Sequence, residues 1–152
     1  MKTKTWAAAA VLAVTTLTAG CGSEPSTSDR VIAACKAAAE KKAMGTWGSS
    51  RLSAISLHYT DLAASLTDDS KPTERWTVEG QLLIKKTIAP KPYEFDDDGK
   101  PAVEDDPGRF ICKAGHRKSD GEIVVFEIEQ KHPTGDGSVG AVLAYPEGES
   151  PN

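Results

Sequence analysis

Between Arg75 and Ile88 the chain reads RWTVEGQLLIKKTI. Trp76, Val78, Leu82, Ile84 and Ile88 fall on even positions; Thr77, Glu79, Gln81, Lys85 and Thr87 fall on odd ones. Successive strand side chains point to opposite faces, so this period of two demands a sheet with one buried and one solvated face. A sheet of that kind is antiparallel, and something must cover its apolar side. Gly80 interrupts the buried row, which marks a bulge or a close approach by the covering element.

The cover is supplied by Asp29 to Met44 (DRVIAACKAAAEKKAM), which reads as a helix. Alanine, the best helix former, fills much of it. Val31, Ile32, Cys35, Ala38, Ala39 and Ala43 share one face at the i, i+3, i+4, i+7 spacing, while Arg30, Lys36, Glu40 and Lys41 lie mostly opposite. Ser28 or Asp29 is the expected cap, Gly45 the expected stop, and Lys41 and Lys42 in the last turn suit the helix dipole. A stripe of small residues lets the helix lie close to a sheet, with Cys35 pointing inward.

Further strands are expected at Arg109 to Gly115, with Phe110, Cys112 and Ala114 on one face, and at Glu122 to Lys131, with Val124, Phe126 and Ile128 inward and the glutamates largely outward. Lys118-Ser119-Asp120-Gly121 joins these two as a hairpin turn. Val139 to Tyr145 suits a short edge strand. Thr67 to Thr73 reads as a turn, and Pro90 to Gly108 as a proline-rich acidic loop. Arg51 to Leu66 fits two patterns. Ile55, Leu57 and Tyr59 alternate, yet Leu52, Ile55, Tyr59, Leu62 and Leu66 have helical spacing; a strand over 51–59 is the expectation. The fold class is therefore α+β: one N-terminal helix packed on an antiparallel sheet of three to five strands.

The first residues set the compartment. Lys2 and Lys4 precede an apolar stretch from Trp6 to Leu17, and Leu17-Thr18-Ala19-Gly20-Cys21 closes it. The stretch is shorter than the roughly 20 residues a spanning helix needs. It resembles a bacterial lipoprotein signal, in which the cysteine becomes the lipidated first residue of the mature chain. That resemblance implies a signal peptide over 1–20 and a covalent diacylglycerol with its palmitate-like acyl chains on Cys21. It also implies attachment to the extracytoplasmic face of the cell membrane, where two acyl chains suffice for stable anchoring. The small polar residues after Cys21 read as a tether to residue 28, and the remaining length fits a single domain over 29–146 with a disordered tail over 147–152.

The chain has three cysteines. With Cys21 assigned to lipid, Cys35 and Cys112 remain, and an oxidising compartment makes them one disulfide. Closing a loop of that length is worth about 4.5 kcal/mol in the chain-entropy model. A cysteine in the middle of an Ala-rich first helix, the run Trp76-Thr77-Val78-Glu79-Gly80 and the run Arg109-Phe110-Ile111-Cys112 together resemble small actinobacterial lipoproteins of uncharacterised function over roughly residues 29–130. The resemblance implies the same helix-to-strand disulfide and transfers no activity.

Charge and motifs narrow the function classes. The sequence carries 18 basic and 22 acidic residues, a net charge of −4, and the signal segment takes Lys2 and Lys4 with it. An acidic chain with only isolated basic doublets is repelled by phosphate backbones, so nucleic acid is not an expected partner. Glu94, Asp96, Asp98 and Asp105 fall at positions 1, 3, 5 and 12 of a calcium-loop register, with Gly99 at 6. They form a calcium candidate, although Glu at position 1, Pro101 at 8 and the lack of flanking helices depart from that pattern. No other metal ligands and no cofactor are expected.

Gly135 to Gly140 matches G-x-G-x-x-G but opens no helix, so it reads as a turn rather than a dinucleotide site. His58, His116 and His132 stand in no zinc spacing, and His116 and His132 are expected to be exposed. Glu127 and Glu129 share a strand face that reads as solvated. Trp47 and Trp76 are aromatic candidates for a binding surface, with Trp76 better placed in the core. The expectation is a non-enzymatic, membrane-anchored module that binds an envelope protein or cell-wall ligand. Alternatives are an envelope hydrolase or hydrolase inhibitor with a cleft at 90–108, and a calcium-dependent surface module.

Overall fold

Ser26 starts the first element. Its hydroxyl accepts from the Asp29 N–H at 3.2 Å, and its own N–H donates back to the Asp29 carboxylate at 3.3 Å. This reciprocal capping box begins helix α1, Thr27–Trp47, two residues before the expected start. The helix also passes Gly45 and ends at Gly48. The extra turn follows from the buried stripe Val31, Cys35, Ala39, Ala43, Trp47, in which Trp47 supplies the last large apolar contact. Lys41 and Lys42 consequently sit inside the helix, and its last turn carries no basic residue.

The structure, a computed structural model, describes residues 24–90, 100–133 and 137–144. The signal segment with Cys21, the acidic positions Glu94, Asp96 and Asp98, Gly135 and Tyr145 lie outside the described residues. After α1 the chain forms β1 (Leu52–Asp68), β2 (Thr73–Ile88), β3 (Ala102–Arg117), β4 (Ile123–Lys131) and β5 (Ser138–Val142). They make one antiparallel sheet in sequence order, β1-β2-β3-β4-β5. The expected α+β class holds, with α1 on one face of the sheet.

The even positions of β2 and β3 face α1. Val78, Leu82, Ile84, Phe110, Cys112 and Ala114 are buried with the helix stripe and Ile128 in a single core. Cys35 and Cys112 are bonded across it, with Cα atoms 6.0 Å apart and 77 residues between them in sequence. The tyrosine ring of Tyr59 meets Phe110 edge-on at 5.2 Å. Burial, with a smaller contribution from Glu40, raises the Tyr59 pKa well above its ordinary value and holds the phenol neutral.

Three expectations are corrected. Residues 52–66 are all strand, and β1 continues to Asp68, so the turn shrinks to 69–72. The helical spacing arises from bulges: Ser53 and Thr67 are extra residues against β2, and Asp61 and Leu62 together oppose Gly80. At the middle bulge Asp61 takes φ 54°, and the inward row moves from Ile55, Leu57 and Tyr59 to Leu62 and Ala64. Gly80 therefore answers to β1, not to the helix. A Cβ there would stand 2.6 Å from Leu62 Cδ2 and 2.8 Å from the Thr60 carbonyl.

The second correction concerns 90–108. From Ala102 the chain is already β3, paired as Ile88↔Ala102 through Leu82↔Gly108. β4 stops opposite Arg109, so among the described residues this end of β3 pairs with one strand, and a strand position without a second ladder accommodates Pro107. The third concerns β4. Lys113 pairs with Glu127 but Ala114 pairs with Val125, which leaves Phe126 as an extra residue. Ile123 and Val125 therefore pack toward the core, and the expected inward row Val124 and Phe126 turns to the other face.

Two stability changes are expected. Replacing both Cys35 and Cys112 with serine should cost about 2–4 kcal/mol in urea unfolding, the usual yield of a long-loop disulfide. Gly80→Val should cost about 1–3 kcal/mol by overpacking against β1; an unchanged midpoint would show that the bulge yields freely.

Candidate functional site

The face of the sheet opposite α1 is mostly a polar surface. Arg109 pairs with Glu79 at 2.6 Å and Lys113 with Glu127 at 2.7 Å. At the end where β2 starts and β3 finishes the character changes. The β4 bulge brings Phe126 and Val124 out beside Gly115. A Cβ on Gly115 would stand 2.7 Å from the Phe126 ring and 2.8 Å from the Thr73 methyl. Glycine at this position thus lets the ring lie down on β3 and leaves a concavity of about 410 Å³. Phe126 and Val124 give it apolar walls, Pro72 and Thr73 close one side, and Lys71, Arg75 and Arg117 line it with one carboxylate, Glu122.

Two of these cations, Arg75 and Arg117, are held in place by the local structure. The Arg75 guanidinium lies 5.8 Å from the centroid of the Phe126 ring, a cation–π geometry. Arg117 Nη1 bridges Asp120 at 2.8 Å and Glu122 at 2.7 Å. The Asp120 carboxyl is pushed below its ordinary pKa, first by the Glu122 N–H and then by Arg117. Asp68 is lowered likewise, by the hydroxyl and N–H of Ser70, with Lys71 and Arg75 adding smaller effects.

The β1–β2 and β3–β4 turns touch. Lys118 N donates to the Pro72 carbonyl at 3.0 Å and Lys118 Nζ to the Asp69 carbonyl at 2.7 Å. The first turn of α1 joins them through Arg30 Nη2, which donates to the Gly121 carbonyl at 2.7 Å. An apolar pocket of this size with a few converging polar groups suits an amphipathic ligand or part of one.

Two polar clusters lie on the helix side. His116 Nδ1 is 2.9 Å from Glu74 Oε2, and Trp76 Nε1 donates to the same oxygen at 3.3 Å. His116 is therefore not exposed as expected: its side chain keeps only 13% of its surface. The hydrogen bond from His116, ahead of that from Trp76, lowers the Glu74 pKa. At the other end Asp106 takes Lys86 at 2.8 Å and His132 at 3.4 Å. Gln130, fully buried, donates to the Asp106 carbonyl at 3.1 Å. His132 too is only partly exposed.

The remaining sequence candidates separate. Asp105 sits in β3 opposite Lys85, in a strand rather than a loop, and the other three calcium candidates lie outside the described residues. Among the described residues no group of three or more His, Cys, Asp and Glu side chains is placed to hold a metal ion. Gly137 to Gly140 leads into β5, not a helix. Trp47 is in the core at 5% exposure, not on a binding surface, and Trp76 packs against that core as expected. His58 pairs with Ser56, at 3.2 Å, on the exposed face. Glu127 is engaged by Lys113 and Glu129 lies 4.0 Å from Lys131. Sequence reading missed the concavity because it placed Val124 and Phe126 inside; the pairing that moves them out is set by β3.

Comparison with protein-family models, with curated proteins and with solved structures finds no match to this chain.

The Glu74 contacts set an acid limit. A carboxylate whose folded pKa lies below its unfolded value stabilises the fold above the unfolded pKa, and the benefit disappears as pH falls through the folded one. Stability should therefore decline below about pH 4, the ordinary glutamate range. Glu74→Gln should flatten part of that decline in urea midpoints taken from neutral to acid pH; parallel profiles would assign the decline to other groups.

Proposed function

We propose that this chain is a lipid-anchored module of the cell envelope that works by binding rather than by chemistry, and that its binding surface is the concavity beside Phe126. The observation that carries this reading is the outward pair Val124 and Phe126 over Gly115. A solvated strand face ordinarily carries polar residues there, and an apolar recess rimmed by charge is the usual form of a ligand site. The lipobox pattern at Cys21 supports the address. Among the described residues no helix is long and apolar enough to cross a membrane, so attachment in this reading depends on the acylated cysteine.

Two measurements test it. Cys21→Ala should move the full chain from the membrane to the soluble fraction and abolish incorporation of labelled palmitate. A photoreactive residue at position 124 should capture a ligand in intact cells that the same residue at Gln81, exposed on the same face, does not. Identical capture from both positions, or turnover of a cell-wall substrate by the purified protein, would overturn the binding reading.

A further inference from the structure

The capping box fixes where the tether joins the domain. Because α1 starts at Thr27, only Gly22 to Ser26 separate Cys21 from the helix, a span of roughly 20 Å even when fully extended. The helix start is in turn tied to the β3–β4 turn by the bond from Arg30 to Gly121, and that turn is tied to the β1–β2 turn by Lys118. These two turns form the end of the sheet on which the concavity opens, with Lys71, Pro72 and Thr73 on one side and Arg117 and Glu122 on the other. A domain held by Cys21 therefore keeps this end, and this recess, next to the leaflet that holds the anchor.

The recess differs in charge from the rest of the molecule. The whole chain is net negative, at −4, and would be repelled by an anionic leaflet. Lining the recess, however, are three cations, Lys71, Arg75 and Arg117, against the single carboxylate of Glu122; just beyond the lining, Asp120 offsets part of this through Arg117, and Asp68 part of it through Lys71 and Arg75. Basic groups above an apolar wall match an amphiphile with an anionic head and a greasy body.

We propose that the concavity seats an anionic phospholipid of the anchoring leaflet, with its phosphate toward Lys71, Arg75 and Arg117 and its glycerol ester and first methylenes against Phe126 and Val124. Seating one lipid would add a specific contact to the covalent anchor and fix how the domain stands on the membrane. The proposal rests on the lipid-anchored reading of Cys21.

The test uses the full lipidated chain in vesicles containing a photoactivatable phosphatidylglycerol, with phosphatidylcholine vesicles as the neutral control. Adducts are mapped by mass spectrometry, and the mass of the Cys21 peptide is read from the same sample. The expected result is labelling of residues 71–73 and 115–126 that falls several-fold in phosphatidylcholine and several-fold again in Val124→Glu. Lys71→Glu, at an exposed turn position, serves as a second variant should Val124→Glu fail to fold. Labelling spread equally over Gln81 and Lys113, or absent from the recess while Cys21 carries its lipid, overturns the proposal and leaves the anchor reading intact. A Cys21 peptide without lipid overturns both. Capture of a protein at position 124 in cells, with no lipid adduct there in vesicles, overturns the lipid and retains the binding module.

Discussion

The close seating of α1 on the sheet is the contact on which the rest of this structure depends. Val31, Cys35, Ala39 and Ala43 recur every four residues, and three of them are alanine or cysteine. Small side chains bring the helix backbone near β3, and this nearness is what allows Cys35 to bond Cys112. The large residues of the core come from the sheet instead: Phe110, Leu82, Ile84 and Ile128 are all fully or almost fully buried. The division of labour is economical for a small domain, in which a single thin helix must cover long strands and one disulfide supplies a large share of the net stability.

Much of this was legible in the sequence because it is periodic. The alternation in β2 identified its buried face, and the alanine stripe identified the helix and the direction of Cys35. What was not legible is the set of places where a strand gains a residue. In β1 the row on the helix side runs Leu52, Ile55, Leu57, Tyr59, Leu62, Ala64, Leu66, with Leu66 exposed at its end, an extra residue after Leu52 and another after Tyr59. A subset of that row, Leu52, Ile55, Tyr59, Leu62 and Leu66, has steps of three and four, the signature of a helix. The ambiguity was a property of the strand itself: bulges at Ser53 and at Asp61–Leu62 turn two of the steps of two into steps of three and so imitate a helical period. Only the partner decides, since Gly80 makes room for the second bulge.

The same cause hid the candidate site. Val124, Phe126 and Ile128 form a plain alternating row, and reading all three inward was the natural conclusion. One extra residue at Phe126 separates them, so Ile128 stays in the core while Val124 and Phe126 leave it. The signal in the sequence was Gly115, a glycine in the paired strand with no turn to explain it. Glycines inside strands mark close approaches, and in this chain Gly80 and Gly115 each lie where a bulge in a neighbouring strand pushes a side chain against them.

The bulges of β1 and that of β4 have opposite consequences for the surface, and the difference follows from position in the sheet. β1 is an edge strand, and its bulges are stitched by its own hydroxyls: Ser53 Oγ donates to the Thr87 carbonyl at 3.0 Å and Thr67 Oγ1 to the Arg75 carbonyl at 2.9 Å. Irregularity there blunts a long open edge that would otherwise invite pairing with another chain. The β4 bulge is interior: just past the end of β5, Leu143 N and Ala144 N both donate to the Phe126 carbonyl at 2.6 and 3.1 Å. The extra residue is thus held by backbone from the segment after β5, and its ring lies against Gly115. A surface aromatic locked in this way loses little entropy when a ligand covers it, which is why an interior bulge can build a binding wall where an edge bulge cannot.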